Sequence, residues 1–274
     1  MFCRRQFMLF NKLKKRKLVQ NTQPIKEYSG PALKRAYAIG DVHGRLDLLE
    51  QLIKNIKADI EEQNKAISEA IESHIIFLGD LIDRGPDSKG VVEFLMSFQP
   101  DYAKVHLISG NHEESLVRAL SGEPELISSW LDHGGKPTAL SYGVDPGAIL
   151  YQTANAQEYI LCSAIPKSHI RFLSRFSESV QFGDYFCVHA GIRPGVPIHE
   201  QDINDLRWIR GEFLDSEEDH GLVVVHGHTI VEEVVDKSNR IAVDTGAYKS
   251  GILSAICLEG KSRRVLYARI NSSK

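Results

Sequence analysis

The sequence predicts an α/β protein in which two sheets lie between helical layers. Three observations carry the prediction. Short apolar runs alternate with helical periodicity in the first half, strand follows strand in the second half, and five strand ends close on glycine beside Asp, Asn or His. An alternation of that kind is the pattern of a mostly parallel sheet covered by helices.

The elements follow in order. "RAYAIGD" from Arg35 is a short buried strand, and Leu49, Leu52, Ile53, Ile56 and Ile60 then recur at helical spacing. "HIIFLGD" is the next strand, followed by "SKGVVEFLMSF" as a helix; "KVHLISGN" and "HEESLVRAL" repeat the unit. Residues 122–176 read as a helical, irregular insertion that caps the strand ends. Beyond it come "SVQFG", "YFCVHAG", "LVVVHGHT", "RIAVDTG", "GILSAICLEG" and "RRVLYARI", separated by turn residues such as Gly183-Asp184 and Glu259-Gly260. These supply the second sheet.

Composition narrows the class. With 274 residues, 42% hydrophobic and 25% charged, the chain has the material for one large α/β domain or two small ones. No apolar run approaches the roughly 20 residues of a membrane-spanning helix. Cys3, Cys162, Cys187 and Cys257 form no C-x-x-C pair and read as reduced, buried and structural, in a cytoplasmic setting. The net charge of −3 is uneven: residues 1–30 hold eight Lys/Arg against one acid, whereas the remainder holds 25 basic and 35 acidic side chains. An acidic body argues against nucleic acid as the main substrate. Residues 1–32 are expected to be a basic, flexible extension ahead of a domain over 33–274. The extension is either merely solvated or a basic anchor, with Phe2, Phe7, Leu9 and Phe10, for an anionic membrane or an acidic partner.

The strand ends carry the chemistry: "GDVHG" (40–44), "GDLIDRG" (79–85), "GNHE" (110–113), "VHAG" (188–191) and "HGHT" (226–229). One Asp or Asn beside glycine makes a turn. Five such ends in one chain are a ligand set of nitrogen and oxygen donors without cysteine, which suits a pair of divalent first-row ions. Asp80 stands where one carboxylate could bridge two cations, and metal charge would balance the crowded acids.

These five motifs, in this order over residues 35–270, resemble those of the calcineurin-like metallophosphoesterases, and within them the bacterial branch of the phosphoprotein phosphatase family. The resemblance implies a four-layer α/β/β/α sandwich with a dinuclear site between the sheets. It implies that Asp41 and His43 bind one metal, that Asp80 bridges both, and that Asn111, His189 and His228 complete the second. Where relatives carry G-H-x-H, the last position here is Ile230, as in the protein phosphatase branch. His226 and His228 compete for the final ligand position, and the family's Gly-then-His spacing favours His228. Two divalent ions are expected, Mn²⁺ first, with Fe or Zn as alternatives. Water between two cations is acidified to hydroxide near neutral pH and attacks phosphorus in line.

Arg84, four residues past Asp80, offers a planar fork to two phosphoryl oxygens; the bland alternative is an ion pair with Asp83 or Asp87. Arg210 in "LRWIRGEF" resembles the second phosphate-binding arginine, with Arg193 and Arg207 as competitors, and Asn111 also reaches substrate. His112 resembles the family's general acid, oriented by Asp83. His74, His106 and His169 are expected on element surfaces, and His199 and His220 in loops. His133 lies in the cap, where a substrate-facing role is open, and Tyr248, after "DTGA", reads first as a packed core tyrosine, with lining of the pocket as the alternative. The expected activity is hydrolysis of phosphate monoesters, foremost phosphoserine and phosphothreonine on proteins. The rivals are symmetrical diadenosine-tetraphosphate hydrolysis and a non-catalytic phospho-ligand module, the latter disfavoured because all six ligands, Arg84 and His112 are present.

Overall fold

In the computed structural model, residues 27–65 and 69–270 are described. The basic extension and its expected contacts lie, up to residue 26, outside them. The first half builds β1 (Lys34–Ile39), α1 (Leu46–Lys65), β2 (Glu72–Phe77), α2 (Ser88–Ser97), β3 (Lys104–Leu107) and α3 (Asn111–Ala119). The insertion folds as α4 (Leu126–Trp130), a π-helical turn (Leu131–Gly135), α5 (Lys136–Ser141), α6 (Pro146–Ile149), α7 (Ala154–Ala164) and α8 (Lys167–Leu173). The remainder contributes β4 (Ser179–Phe182), β5 (Tyr185–Val188), α9 (Ile203–Trp208), α10 (Gly211–Leu214), β6 (Val223–His226), β7 (Val235–Asp236), β8 (Arg240–Ala242), α11 (Ala247–Ser250), β9 (Ile252–Glu259) and β10 (Ser262–Arg269).

Among the described residues the strands form two five-stranded sheets, ordered β10-β9-β1-β2-β3 and β4-β5-β6-β8-β7. Their alternation of side chains explains the layering. On β1, Tyr37 and Ile39 point to α1 and its Leu49, Leu52, Ile53, Ile56 and Ile60, buried as the periodicity predicts, and to Leu48 beside them. Ala36 and Ala38 point the other way, onto Tyr185, Cys187, Val223, Val225 and Ile241 of the second sheet. The outer face of that sheet, Phe186, Val188 and Val224, is covered by Leu206, Ile209 and Phe213 around α9 and α10. The result is the expected four-layer α/β/β/α sandwich.

The expected division of the strands between the sheets is corrected. The second half does not supply the second sheet alone, because β9 returns to pair antiparallel with β1 and carries β10 with it. β9 is buried on both faces: Leu253, Ala255 and Cys257 join the α1 side, and Ile256 and Leu258 join the inter-sheet side. An apolar run specifies such burial but not its partner strand. The parallel pairs are therefore β1–β2, β2–β3, β5–β6 and β6–β8, and their C-terminal ends share one rim. The cap packs Ile127, Trp130, Leu131, Ala139 and Leu161 against Ile82, Val92 and Leu116 beside that rim. Cys187 and Cys257 are buried as expected, but Cys162 is exposed, because α7 turns it outward and buries Leu161 instead. No helix among the described residues is long and apolar enough to cross a membrane.

The fully buried Ile56 gives the packing a direct check. Ile56→Ala should lower unfolding free energy by about 2–5 kcal/mol in urea titrations, from lost transfer energy plus the cavity left under the sheet.

Candidate metal centre

Apart from Arg210, which lies between α9 and α10, the predicted site residues follow the C-terminal ends of parallel strands, in the connecting loops or, for Asn111 and His112, at the start of α3, the usual location for sites in α/β sheets. Asp41 and His43 follow β1, Asp80, Asp83 and Arg84 follow β2, Asn111 and His112 follow β3, His189 follows β5 and His228 follows β6. These loops are tightly bent. Among the described residues, the non-glycine positions with φ in the left-handed region are Leu33, His43, Asp80, Asp83, Arg84 and His228. All but Leu33 are predicted site residues. Such conformations cost of order 1–3 kcal/mol each and persist only where the surroundings enforce them.

The enforcement is visible in the contacts. Glu113 is fully buried, and its carboxylate accepts the amides of Asp80 (2.8 Å), Leu81 (2.8 Å), Ile82 (3.2 Å) and Gly110 (2.9 Å). Burial, with Asp80 nearby, pushes Glu113 up to about 7, and the amides oppose that shift. Among the motif glycines that close approach requires, a Cβ on Gly110 would sit 2.2 Å from Asp80 Oδ1, and one on Gly227 would sit 2.1 Å from Asp41 Oδ1.

Two donor groups meet at Asp80. Its Oδ1 lies 3.4 Å from His189 Nε2, and its Oδ2 lies 3.5 Å from His43 Nε2. His189 Nδ1 is 2.9 Å from the Leu78 carbonyl and must donate to it, so Nε2 carries a lone pair. That lone pair faces Asn111 Oδ1 at 3.0 Å and His228 Nδ1 at 3.1 Å. His43 repeats the arrangement: Nδ1 donates to the Ile82 carbonyl at 2.8 Å and Nε2 faces the acids, with Asp41 Oδ2 at 4.0 Å. Asp41, Asp80 and Asp244 are each almost fully buried, and burial plus repulsion from Asp244 and Asp80 raises Asp41 well above the usual carboxylate range. Lone pairs and carboxylates converging in a buried space repel one another, and a cation at each group removes the conflict. Burial drives His43 down to about 3 and His228 down to about 2, so both are neutral donors. The residues present therefore fit divalent ions held by His and Asp.

By mutual proximity the two groups are His43, Asp80, His112 and Asp80, His189, His228. His112 belongs to the first by position, with Nε2 3.8 Å from Asp80 Oδ2, but differs in character. Burial lowers it, yet Asp80 and the 2.7 Å contact to Asp83 Oδ2 outweigh that and raise it above the ordinary histidine value. Asp41 stands slightly outside, its carboxylate accepting the His228 amide at 3.1 Å. His226 points elsewhere, edge-on to Phe213, with Nδ1 against its neighbour's carbonyl at Gly227.

The arginines separate cleanly. Arg193 is paired with Asp205 and Glu212, and Arg207 with Glu178 and Glu114. Arg84 and Arg210 instead line a cleft of about 400 Å³ with Asn111, His112, His133 and His228. Arg84 makes no ion pair with Asp83 or Asp87; its Nη1 is 3.0 Å from His43 Nε2 and its guanidinium lies 5.2 Å from the Tyr248 ring centre. Tyr248 is thus half-buried beneath Arg84 and edge-on to His43, beside the site rather than in the packed core that was the first expectation. His74 and His169 are buried, contrary to expectation, because His74 bridges His106 and Glu72 and His169 meets the Tyr142 hydroxyl.

A family model described as "Calcineurin-like phosphoesterase" matches residues 34–252. The asymmetrical bis(5'-nucleosyl)-tetraphosphatase PrpE of Bacillus velezensis is 25% identical over 225 residues, which are 76% of this chain and 82% of that protein. A 104-residue stretch, 38% of this chain, is 33% identical to 39% of PrpE of Oceanobacillus iheyensis. Serine/threonine-protein phosphatase 1 of Salmonella typhimurium is 24% identical over 228 residues, 81% of this chain and 90% of that protein. The crystal structure of a candidate diadenosine tetraphosphatase shares the fold, with a TM-score of 0.58 at 18% identity over 89% of this chain and all of that one. With the family model covering most of the chain and its motifs converging on one buried centre, the chain belongs to the calcineurin-like phosphoesterases.

Proposed function

We propose that the chain is a dinuclear phosphatase that hydrolyses phosphate monoesters, with phosphoserine and phosphothreonine on proteins as its substrate class and Mn²⁺ as its metal. The observation that carries the reading is the Asp80 carboxylate, one oxygen toward each of two buried donor groups. His43 and Asp41 would hold one ion, Asn111, His189 and His228 the other, and Asp80 both. Ions held there would supply Lewis acidity and an acidified water. The chain's own residues supply the rest. Arg84 and Arg210 orient the phosphoryl oxygens. His112 donates its proton to the departing oxygen as the P–O bond breaks, and Asp83 stabilises the imidazolium.

Charge at the cleft supports a single phosphoryl group. Its third arginine, Arg118, is committed to Glu123 and Glu114, which leaves Arg84 and Arg210 facing substrate. A polyphosphate would call for more cations. The second reading, dinucleoside-polyphosphate hydrolysis, is favoured by the PrpE relatives and by the exposed ring of Trp208 at the same cleft, which could stack a base.

Turnover with Mn²⁺ should be greatest on phosphoserine and phosphothreonine peptides in a panel containing nitrophenyl phosphate, nucleotides and diadenosine tetraphosphate. A higher kcat/KM on the dinucleotide would reverse the order of the two readings. Chelation should abolish turnover and Mn²⁺ should restore it, and Asp80→Asn should remove most activity, because both ions lose a shared anionic ligand. His228→Ala should lower metal content by elemental analysis, whereas His226→Ala should lower thermal stability and spare the metals; the opposite pattern would reassign the "HGHT" ligand.

A further inference from the structure

Asp83, the partner of the proposed acid His112, is held from outside by the cap. It is fully buried, and its carboxylate meets three donors. His112 Nδ1 at 2.7 Å and Trp130 Nε1 at 2.9 Å lie on Oδ2, and Thr138 Oγ1 at 2.6 Å lies on Oδ1. The proton bookkeeping closes in one way. The Asp83 amide donates to Ser88 Oγ at 2.9 Å and to Thr138 Oγ1 at 3.0 Å. Ser88 then donates to Thr138 Oγ1 at 2.8 Å, and Thr138 donates to Asp83.

Trp130 and Thr138 flank the π-helical turn, and the turn's geometry serves this contact. Gly134, at φ +126°, aims its carbonyl at the Arg84 amide, 2.9 Å away. A Cβ on Gly135 would lie 2.3 Å from the Trp130 ring, so glycine leaves the indole its place against Asp83. One cap segment therefore anchors both the phosphate arginine's backbone and the carboxylate behind the acid. Packing alone would ask only for the apolar surface of Trp130, not for its N–H to end on a buried carboxylate.

We propose that Trp130 and Thr138 are positioning residues for proton delivery. They fix the Asp83 carboxylate so that it holds His112 Nδ1–H and directs Nε2 into the cleft. The inference rests on the reading of His112 as the acid. An acid contributes in proportion to the leaving group's need for a proton, which separates this role from simple stabilisation.

The test compares phenyl phosphate, whose phenolate leaves poorly, with nitrophenyl phosphate, on the whole 274-residue chain with Mn²⁺ under single-turnover conditions. It does not depend on whether proteins or dinucleotides are the natural substrate. Thr138→Val keeps shape and removes the hydroxyl, Thr138→Ser restores it, and Trp130→Phe removes the indole N–H; melting curves and metal content accompany each. Thr138→Val and Trp130→Phe should slow phenyl phosphate roughly tenfold and nitrophenyl phosphate less than about twofold, with Thr138→Ser near the parent. His112→Asn should show a larger bias of the same kind, and adding Thr138→Val to it should slow phenyl phosphate no further. If His112→Asn is biased but Thr138→Val and Trp130→Phe slow both esters equally or neither, the positioning role is wrong and the acid stands. If His112→Asn is itself unbiased, the acid assignment falls and the inference falls with it. Should Trp130→Phe fail to fold, the Val/Ser pair at position 138 decides alone.

Discussion

The centre depends on keeping one carboxylate, that of Asp80, buried between two sheets with lone pairs on both sides. Nothing in the loop's own sequence would hold that arrangement. The Asp80 backbone lies in the left-handed region, and its amide, together with those of Leu81 and Ile82, ends on Glu113. Glu113 belongs to α3, the helix that begins with Asn111 and His112, so one buried side chain locks the β2 loop to the β3 loop. Without it four buried amides would lose their acceptor, at about 1–3 kcal/mol each by the usual cost of an unsatisfied group. The geometry on either side of Asp80 is thus set by a residue that touches no substrate.

Strain and crowding at this rim are offset elsewhere. The sheets beneath are apolar on both faces, with α1 and α2 on one side and α9 and α10 on the other, and that core supplies the stability which permits left-handed backbone at His43, Asp80, Asp83, Arg84 and His228. The neutral, lone-pair-bearing state of the centre's histidines has the same origin. Burial removes water from His43 and His189, and carbonyls at Ile82 and Leu78 fix which nitrogen keeps its hydrogen. Fold and donor chemistry are consequences of one act of desolvation.

Much of this was legible in the chain. Helical spacing of Leu49, Leu52, Ile53, Ile56 and Ile60 marks the buried face of α1, and glycine beside Asp, Asn or His marks the strand ends. What was not legible is non-local. The return of β9 to β1 depends on pairing that no local pattern encodes. Tyr248 meets Arg84 across a long sequence separation, and Trp130 and Thr138 reach Asp83 from the cap. Glu113 had a local signal, as an acid three residues beyond the helix N-cap Gly110, but that pattern ordinarily describes a capping side chain. The two histidines of "HGHT" differ only by which side of the chain each faces, and the bend at Gly227 against Asp41 turns His228 inward while His226 stays in the strand.

The division of donors between the sheets explains why small residues matter far from the chemistry. Asp41, His43, Asp80 and Asn111 ride on the first sheet, and His189 and His228 on the second. The second group therefore spans both sheets, and the packing distance between the sheets, about 10 Å in sandwiches, sets how closely His189 and His228 approach Asp80 and Asn111. On β1, the strand leading to Asp41 and His43, the inter-sheet positions are Ala36 and Ala38, opposite the bulkier Tyr185, Val223 and Val225. Small against large lets the layers interdigitate without voids. A larger side chain on β1 would have to be absorbed by moving one sheet relative to the other, because a close-packed interior has no slack to give. Such a shift would act on His189 Nε2 and Asp80 Oδ1, now 3.4 Å apart, before it disturbed any single loop. The register between the sheets is in this sense part of the centre, and Ala36 and Ala38 belong to its geometry as much as the donors do.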